Sequence, residues 1–432
     1  MSTIVDRVDA LIRKLDLAQG PLQRRERRYS GESTLSYTSD FVIDDYRFLN
    51  SNLFKLAVDS VAERIRPSRV SCRIGGRDRS DLADRYWVGS YMPQKISALV
   101  ADALALGSAY MIVWHNGKSP FLSAESARGM TAVHDLVTGK VLEAVKRYYE
   151  HAPEGGIDKE HVVHYASDAV RRFERAGNGH LKLVETIENP LGTPPVVSLV
   201  NRQRLGAGDL GASVIDSMEP LVDLLNKLLA DLATASEATA RPKRWATGVS
   251  LEEVSPGFSA DGDEPVQAEA VSPFSEEDSV WTIENDSARI GQLDGATLSG
   301  FDTATSIILE QISAVSCLPG HLLGVRSSQP ASADAVRATE AGLTARAEQA
   351  TSVFSPSLEL ATRLLIAAGE GVPPSQVEVT ISWCDPATRS EAQAADAVAK
   401  LYSLGIITVD EARQRMGLPV MDKKSKPQVS VL

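Results

Sequence analysis

Apolar residues recur every three or four positions through several stretches of the chain, the spacing that lines them along one face of a helix. Val5, Val8, Leu11, Ile12 and Leu15 set this period over residues 4–17. A second helix is predicted over 52–66, stopped by Pro67, which has no donor and disfavours helix in the residue ahead of it. A third opens at Pro93, aligns Ile96, Leu99, Val100, Ala103 and Leu104, and ends at Gly107. The period then falls to two. Residues 109–114 lead into Asn116-Gly117, a strong hairpin signal. Strands over 131–137 and 140–149 flank Thr138-Gly139, and 161–166, 170–175 and 180–188 follow. A Pro- and Gly-rich loop, 189–195, leads into an apolar strand at 196–200.

The longest helix is predicted over 212–239, with Ile215, Met218, Leu221, Val222, Leu225, Leu228, Leu229 and Leu232 in one stripe and a kink marked by Pro220. Beyond Arg241-Pro242 the chain turns acidic and rich in Ser, Pro and Gly, through Asp261-Gly262-Asp263-Glu264-Pro265 and Glu276-Glu277-Asp278, as an exposed module does. Helical period returns over 298–315, with Phe301, Thr305, Ile308, Leu309 and Ile312 on one face, and stops at Leu318-Pro319-Gly320. A loop over 325–332 precedes helices over 333–353 and 356–368, a strand over 377–383, and helices over 389–404 and 409–416. The fold class expected is α+β, without a repeat of fixed period.

Composition narrows the function. With 432 residues, 43% hydrophobic and 24% charged, the chain can bury more than one core, so about two to four modules are expected. The longest helix is interrupted by Glu219, Asp223, Asn226, Lys227 and Asp231 and cannot cross a bilayer. The first residues lack the basic-then-apolar order of a secretory signal, so synthesis and use in cytoplasm are expected. Cys72, Cys317 and Cys384 lie far apart and indicate neither a disulfide framework nor a thiolate metal site. A net charge of −12 is opposite in sign to that of a protein gripping phosphates for affinity. The basic runs 24–28 and 241–244 read as solvated faces or contacts with acidic neighbours.

Gly206-Ala207-Gly208-Asp209-Leu210-Gly211 matches the dinucleotide pattern G-x-G-x-x-G and lies between a strand and a helix. The helix after it leads into Arg241-Pro242-Lys243-Arg244 and not into a parallel strand carrying an acidic ribose ligand, so a turn that aims the long helix is the better reading. A nucleotide-binding enzyme built on this loop is the alternative. His161 and His164 are three apart on a strand and point to opposite faces, where they cannot share an ion. No catalytic constellation, metal site or cofactor site can be assembled.

The order of these segments resembles the portal proteins of tailed double-stranded-DNA phages, in the branch with long non-contractile tails that infects actinobacteria. The likeness is carried by Arg27-Arg28-Tyr29-Ser30-Gly31-Glu32, Val58-Asp59-Ser60-Val61-Ala62, Leu106-Gly107-Ser108-Ala109-Tyr110, Asn189-Pro190-Leu191-Gly192, Asn201-Arg202, Leu221-Val222-Asp223-Leu224-Leu225-Asn226-Lys227, Leu318-Pro319-Gly320 and Trp383-Cys384-Asp385-Pro386. The resemblance implies a portal fold assembled as a cyclic ring of about twelve subunits around a DNA channel. It places the wing at 1–211, stem helices at 212–240 and 298–318, the clip at 241–297 and the tunnel loop at 319–332. Wing helices at 333–376 and a small crown at 377–432 complete the chain. Arg326, Ser327, Ser328 and Gln329 would face the DNA, and Glu276, Glu277 and Asp278 of the clip would meet a partner. The implied partners are further copies of the chain, duplex DNA passing without tight binding, terminase, a head-tail adaptor and the major capsid protein, with no membrane. The implied location is the portal vertex of the virion, and host cytoplasm during assembly. The acidic charge suits such a channel, since each phosphate neutralised would have to be released again as the duplex moves.

Overall fold

The computed structural model describes residues 2–32, 50–115, 117–135, 137–151, 157–176, 179–202, 204, 208, 210–240, 244–247, 252–253, 270–271, 289–292, 298–325, 332–387 and 391–416. The chain divides into two compact units, the first comprising 1–34, 50–225 and 306–432, the second 35–49 and 226–305.

The first unit opens with α1 (Ser2–Ser30), α2 (Leu53–Ala62), strands β1 (Pro67–Ile74) and β2 (Arg77–Asp78), α3 (Ser80–Gly89) and α4 (Met92–Leu106). Strands β3 (Ser108–His115), β4 (Pro120–Ser126), β5 (Met130–His134), β6 (Val141–His151), β7 (Ile157–Tyr165), β8 (Ala169–Ala176), β9 (Lys182–Glu188) and β10 (Val196–Val200) follow. Helix α5 (Val214–Ala240) carries the chain into the second unit. There β11 (Arg244–Thr247), β12 (Glu252–Glu253), β13 (Ala270–Val271) and β14 (Arg289–Gln292) form two short antiparallel pairs, β11 with β14 and β12 with β13. Helix α6 (Ser299–Ser316) returns to the first unit, which closes with α7 (Ala333–Glu370), β15 (Val377–Trp383), α8 (Glu391–Ser403) and α9 (Val409–Arg415).

Three antiparallel sheets build the first unit, in the orders β15-β1-β2, β10-β3-β4 and β5-β6-β7-β8-β9. Leu22 of α1, Leu106 of α4, Tyr110 and Ile112 of β3, Met130, Ala144 and Tyr165 share one core, in which Trp114 meets Tyr165 edge to face at 5.7 Å. Val8, Leu11 and Ile12 of α1 cover Val145, Val162 and Phe173 of the five-stranded sheet in a second core. In α4 the residues picked out by period, Ile96, Leu99, Val100, Ala103 and Leu104, are all buried, and Gly107 ends the helix with φ +100°. The fold is thus of the expected α+β class.

Several elements depart from the sequence pattern. Helix α1 does not stop near residue 17 but runs through Gly20-Pro21 to Ser30. Pro21 deprives the Leu17 carbonyl of its helical donor, but Leu17 is 83% exposed, where water can replace it. Likewise α7 is one helix across Pro356, because Phe354 and Leu358 on either side are fully buried and hold the axis. The period left 67–92 unassigned, and there the structure has β1, β2 and α3. Strand β1 buries Val70 and Cys72 and pairs with β15 at the far end of the chain, from Pro67 with Trp383 to Ile74 with Val377. The outer edge of β15 is covered in part by α7, whose Glu359 carboxylate accepts the Ile381 N–H at 3.0 Å.

Candidate functional site

The features that set this fold apart are two long helices, α5 and α6, which leave and rejoin the first unit. The root of α5 begins where two backbone segments cross. The Asn201 N–H donates to the Gly107 carbonyl at 2.9 Å, and the Ala212 N–H to the Asn201 carbonyl at 3.0 Å. The Asn201 side-chain amide donates to the Ala212 carbonyl at 2.7 Å. A Cβ on Gly211, whose φ is +69°, would lie 2.2 Å from the Gly107 oxygen, and one on Gly107 would lie 2.4 Å from the Leu210 oxygen. Glycine is therefore required on both sides of the crossing. The Ser213 hydroxyl donates to the Ala105 carbonyl and accepts the Ile215 N–H, which caps the first turn of α5. This is the part that Gly211 plays in the G-x-G-x-x-G stretch. The strand before it, β10, pairs antiparallel with β3, and no parallel pair occurs among the described strands, so the dinucleotide geometry is not built here. Gly206, Ala207 and Asp209 lie outside the described residues.

Above this root the basic run of α1 meets an acidic face of α5. Asp216, Glu219 and Asp223 stand at i, i+3 and i+7 on α5, and Arg24, Arg25 and Arg28 stand within two turns of α1. Arg24 forks onto Glu219 at 2.8 and 2.7 Å, and Arg25 forks onto Asp216 at 3.1 and 2.6 Å. Arg28 donates to Glu219 at 3.0 Å and holds both Asp223 oxygens, while its guanidinium lies 5.8 Å over the Phe54 ring. Arg24 is 68% exposed and adds little, whereas Arg28 is 10% exposed against partners at 13% and 20%, a desolvated cluster that tolerates no missing member. The end of α1 is tied down as well, Tyr29 donating to Asp59 at 2.7 Å, and burial beside that carboxylate raises the phenol pKa.

The return through α6 ends on a strained turn. Cys317 adopts φ +55°, unusual for a residue with a Cβ, and packs that Cβ at the position of Gly342 on α7. In the last turn of α6 the Val315 carbonyl finds a donor in Arg346 at 2.7 Å, while the Ser316 hydroxyl bonds back along the helix to the Ile312 carbonyl at 2.6 Å. A 3-10 turn at Gly320–Leu323 follows, and the Ser332 hydroxyl caps α7 by accepting the Ala335 N–H at 3.2 Å. Arg326, Ser327, Ser328 and Gln329, with Glu276, Glu277 and Asp278, lie outside the described residues.

A second set of charges ties α1 to the five-stranded sheet, Arg147 reaching Asp16 at 2.7 Å and Arg175 reaching both Asp9 and Glu160 at 3.3 Å. His161 stacks on Tyr148 at 4.9 Å and bonds Glu150 at 3.1 Å, while His164 bonds Glu143 at 3.1 Å. Burial lowers the His164 pKa, only partly offset by Glu143. Burial raises the Asp102 carboxyl, and burial with a hydrogen bond to Glu370 pushes Tyr86 up to about 12. Among the described residues no group of three or more His, Cys, Asp or Glu could hold a metal ion, and no helix is long and apolar enough to cross a membrane. The pairing of α1 with α5 was not read from the sequence, although three arginines close together on one helix and three carboxylates along one face of another were a usable signal.

The fold is an antiparallel α+β body with one clamped helix, α5, that leads into the second unit and a second helix, α6, that leads back. The family described as Phage portal protein, SPP1 Gp6-like, matches residues 21–422. The chain belongs to this family of phage portal proteins, as its sequence resemblance implied. It is 26% identical over 387 residues to the Portal protein of Mycobacterium phage D29, covering 86% of this chain and 76% of that protein. With the Portal protein of Mycobacterium phage L5 it shares 26% over 385 residues, with the same coverage, 86% and 76%. Among solved structures it is similar to a chain in the neck of an empty gene transfer agent particle with C6 symmetry, at TM-score 0.44 and 14% identity over 85% of this chain and 89% of that one. It is also similar to a chain in the neck of the native particle with C12 symmetry, at TM-score 0.42 and 13% identity over 89% and 96%.

Proposed function

We propose that this portal protein forms a closed ring of about twelve copies at one vertex of the capsid, the channel through which DNA is packaged and ejected. The observation that carries the reading is the family match over 21–422, which spans both compact units and both helices that join them. In this reading α5 and α6 are the stem helices, 241–297 is the clip, 319–332 the tunnel loop and 377–432 a small crown. The apolar stripe of α5 supports it: Ile215, Met218, Val222 and Leu225 are buried at the root, whereas Leu228, Leu229 and Leu232 are only half-buried and have apolar surface to offer a neighbouring copy. Head-to-tail contacts of this kind close into a ring around a hole, which an isologous dimer cannot do.

The ring docks the terminase, the head-tail adaptor and the major capsid protein, with Glu276, Glu277 and Asp278 on the clip side. It works in the virion after assembly in host cytoplasm. It is a conduit and not an enzyme, the packaging ATPase being a separate protein. Duplex DNA slides past Arg326, Ser327, Ser328 and Gln329, where the Ser and Gln groups make exchangeable contacts, Arg326 is the one cation of 325–332, and the acidic excess keeps the backbone from sticking. Native mass measurement and electron microscopy of the purified protein test the ring: about twelve copies with a central hole are expected. A monomer or dimer under every salt condition overturns it. For the loop, Ser327, Ser328 and Gln329 changed together to Asp should leave rings intact and impair packaging or retention of DNA. Changed together to Lys, they should slow translocation. Normal packaging by both variants refutes the placement.

A further inference from the structure

Arg28 and Glu340 are the two buried side chains of the described residues that bear a full charge, histidines aside. A buried charge is costly unless paired, and where it persists it holds neighbours in a fixed arrangement. Arg28 does so at the root of α5. Glu340 stands two turns into α7 and reaches in two directions. One carboxylate oxygen is 3.6 Å from His321, in the 3-10 turn that precedes residues 326–331; the other is 3.4 Å from Arg64, just past α2. Arg64 in turn donates to the Pro386 carbonyl at 3.0 Å, and its neighbour Arg66 accepts the Cys384 N–H at 2.8 Å. One carboxylate thus joins the chain before 326–331, the helix after it, the body of the unit, and the segment through which α8 and α9 are attached.

We propose that Glu340 is a positioning residue that fixes both ends of segment 326–331 and couples them to the C-terminal region at residues 384–386. The proposal rests on the portal reading for its meaning, since it makes the loop at the constriction answer to the part of the chain assigned to the crown. Its geometry stands apart from that reading and can be tested apart from it. Hydrogen exchange by mass spectrometry on the assembled, full-length protein reports the coupling through the Leu322 and Val325 amides, bonded to Pro319 and Gly320, and the Cys384 amide, bonded to Arg66.

In Glu340→Gln both sets should exchange about tenfold faster together. His321→Gln should speed only the first set, and Arg64→Met, which removes the donor to the Pro386 carbonyl, only the Cys384 amide. Acceleration confined to α7, or none, overturns the proposal. Should Glu340→Gln fail to fold, the half-exposed His321 carries the test: unchanged Leu322 and Val325 amides in His321→Gln overturn it. DNA packaging by the same variants separates the two ideas. Joint acceleration with normal packaging keeps the coupling and removes the constriction from 326–331, whereas unchanged exchange removes the coupling whatever packaging does.

Discussion

Gly211 gives the sharpest test of how the root of α5 is built. Replacing it with Ala places a methyl carbon 2.2 Å from the Gly107 oxygen, where carbon and oxygen ordinarily stay at least about 3.3 Å apart. The crossing must open by roughly 1 Å. The hydrogen bonds that tie Asn201 to Gly107 and Ala212, at 2.7–3.0 Å, cannot all survive this. Leaving one such buried group unpaired costs about 1–3 kcal/mol. Holding Ala at φ +69° adds about 1–2 kcal/mol, and the reduced freedom of the unfolded chain returns roughly 0.4–1 kcal/mol. The net loss expected is about 3 kcal/mol, a large part of what keeps a domain folded.

Gly208 is the internal control. A Cβ there meets nothing within 4 Å, so Gly208→Ala should be neutral or slightly stabilising. The assay is urea unfolding with hydrogen exchange read at the Asn201 and Ala212 amides, where a 3 kcal/mol loss appears as roughly 100-fold faster exchange. A Gly211→Ala protein within about 1 kcal/mol of wild type would refute the argument, as would a Gly208→Ala protein equally damaged. Saturable ATP or NAD binding, lost when the glycines are replaced, would favour the nucleotide reading.

Three further outcomes are expected. Arg28→Ala should cost about 3–5 kcal/mol in urea unfolding because it strands Glu219 and Asp223, while Arg24→Ala should cost under about 1 kcal/mol; equal losses would mean that burial does not set the energy. Gly342→Ala should destabilise, since its Cβ comes 3.3 Å from that of Cys317, and Cys317→Gly should recover most of the loss; purely additive effects in the double-mutant cycle would show the two do not touch. His164 has a pKa lowered below 6.5 by burial, so the unfolded state takes up its proton first as pH falls. Its contribution is complete above 6.5 and lost below it, so His164→Gln should flatten the fall in stability from about pH 7 to 5, and an unchanged slope would count against it.

How much was legible before folding depended on the distance over which each feature is decided. Helix α4 with its Gly107 stop, the buried half of the α5 stripe and the β3–β4 hairpin around Asn116-Gly117 follow from side chains within a few positions of one another. The family order of segments was legible too, because it is a property of the chain itself. Other features were settled by partners hundreds of residues away. Helix α1 passes Pro21 because Leu22 enters a core with Tyr110 and Tyr165 and because Arg24, Arg25 and Arg28 find carboxylates on α5. Strand β1 has apolar residues at Val70, Cys72 and Ile74, but it becomes a strand by pairing with β15 from the other end of the chain.

The candidate site divides in the same way. The long helix after Gly211 and the cap at Ser332 are local, and sequence by itself determined them, whereas the need for glycine at 211 is set by the Gly107 backbone across the crossing. The exchange of charge between Arg28, Glu219 and Asp223, the meeting of His321, Glu340 and Arg64, and the strain at Cys317 against Gly342 were decided only by tertiary structure. Local periodicity specifies which face of a helix is apolar, but a charge is indifferent to sequence distance and can be buried only where packing delivers its partner.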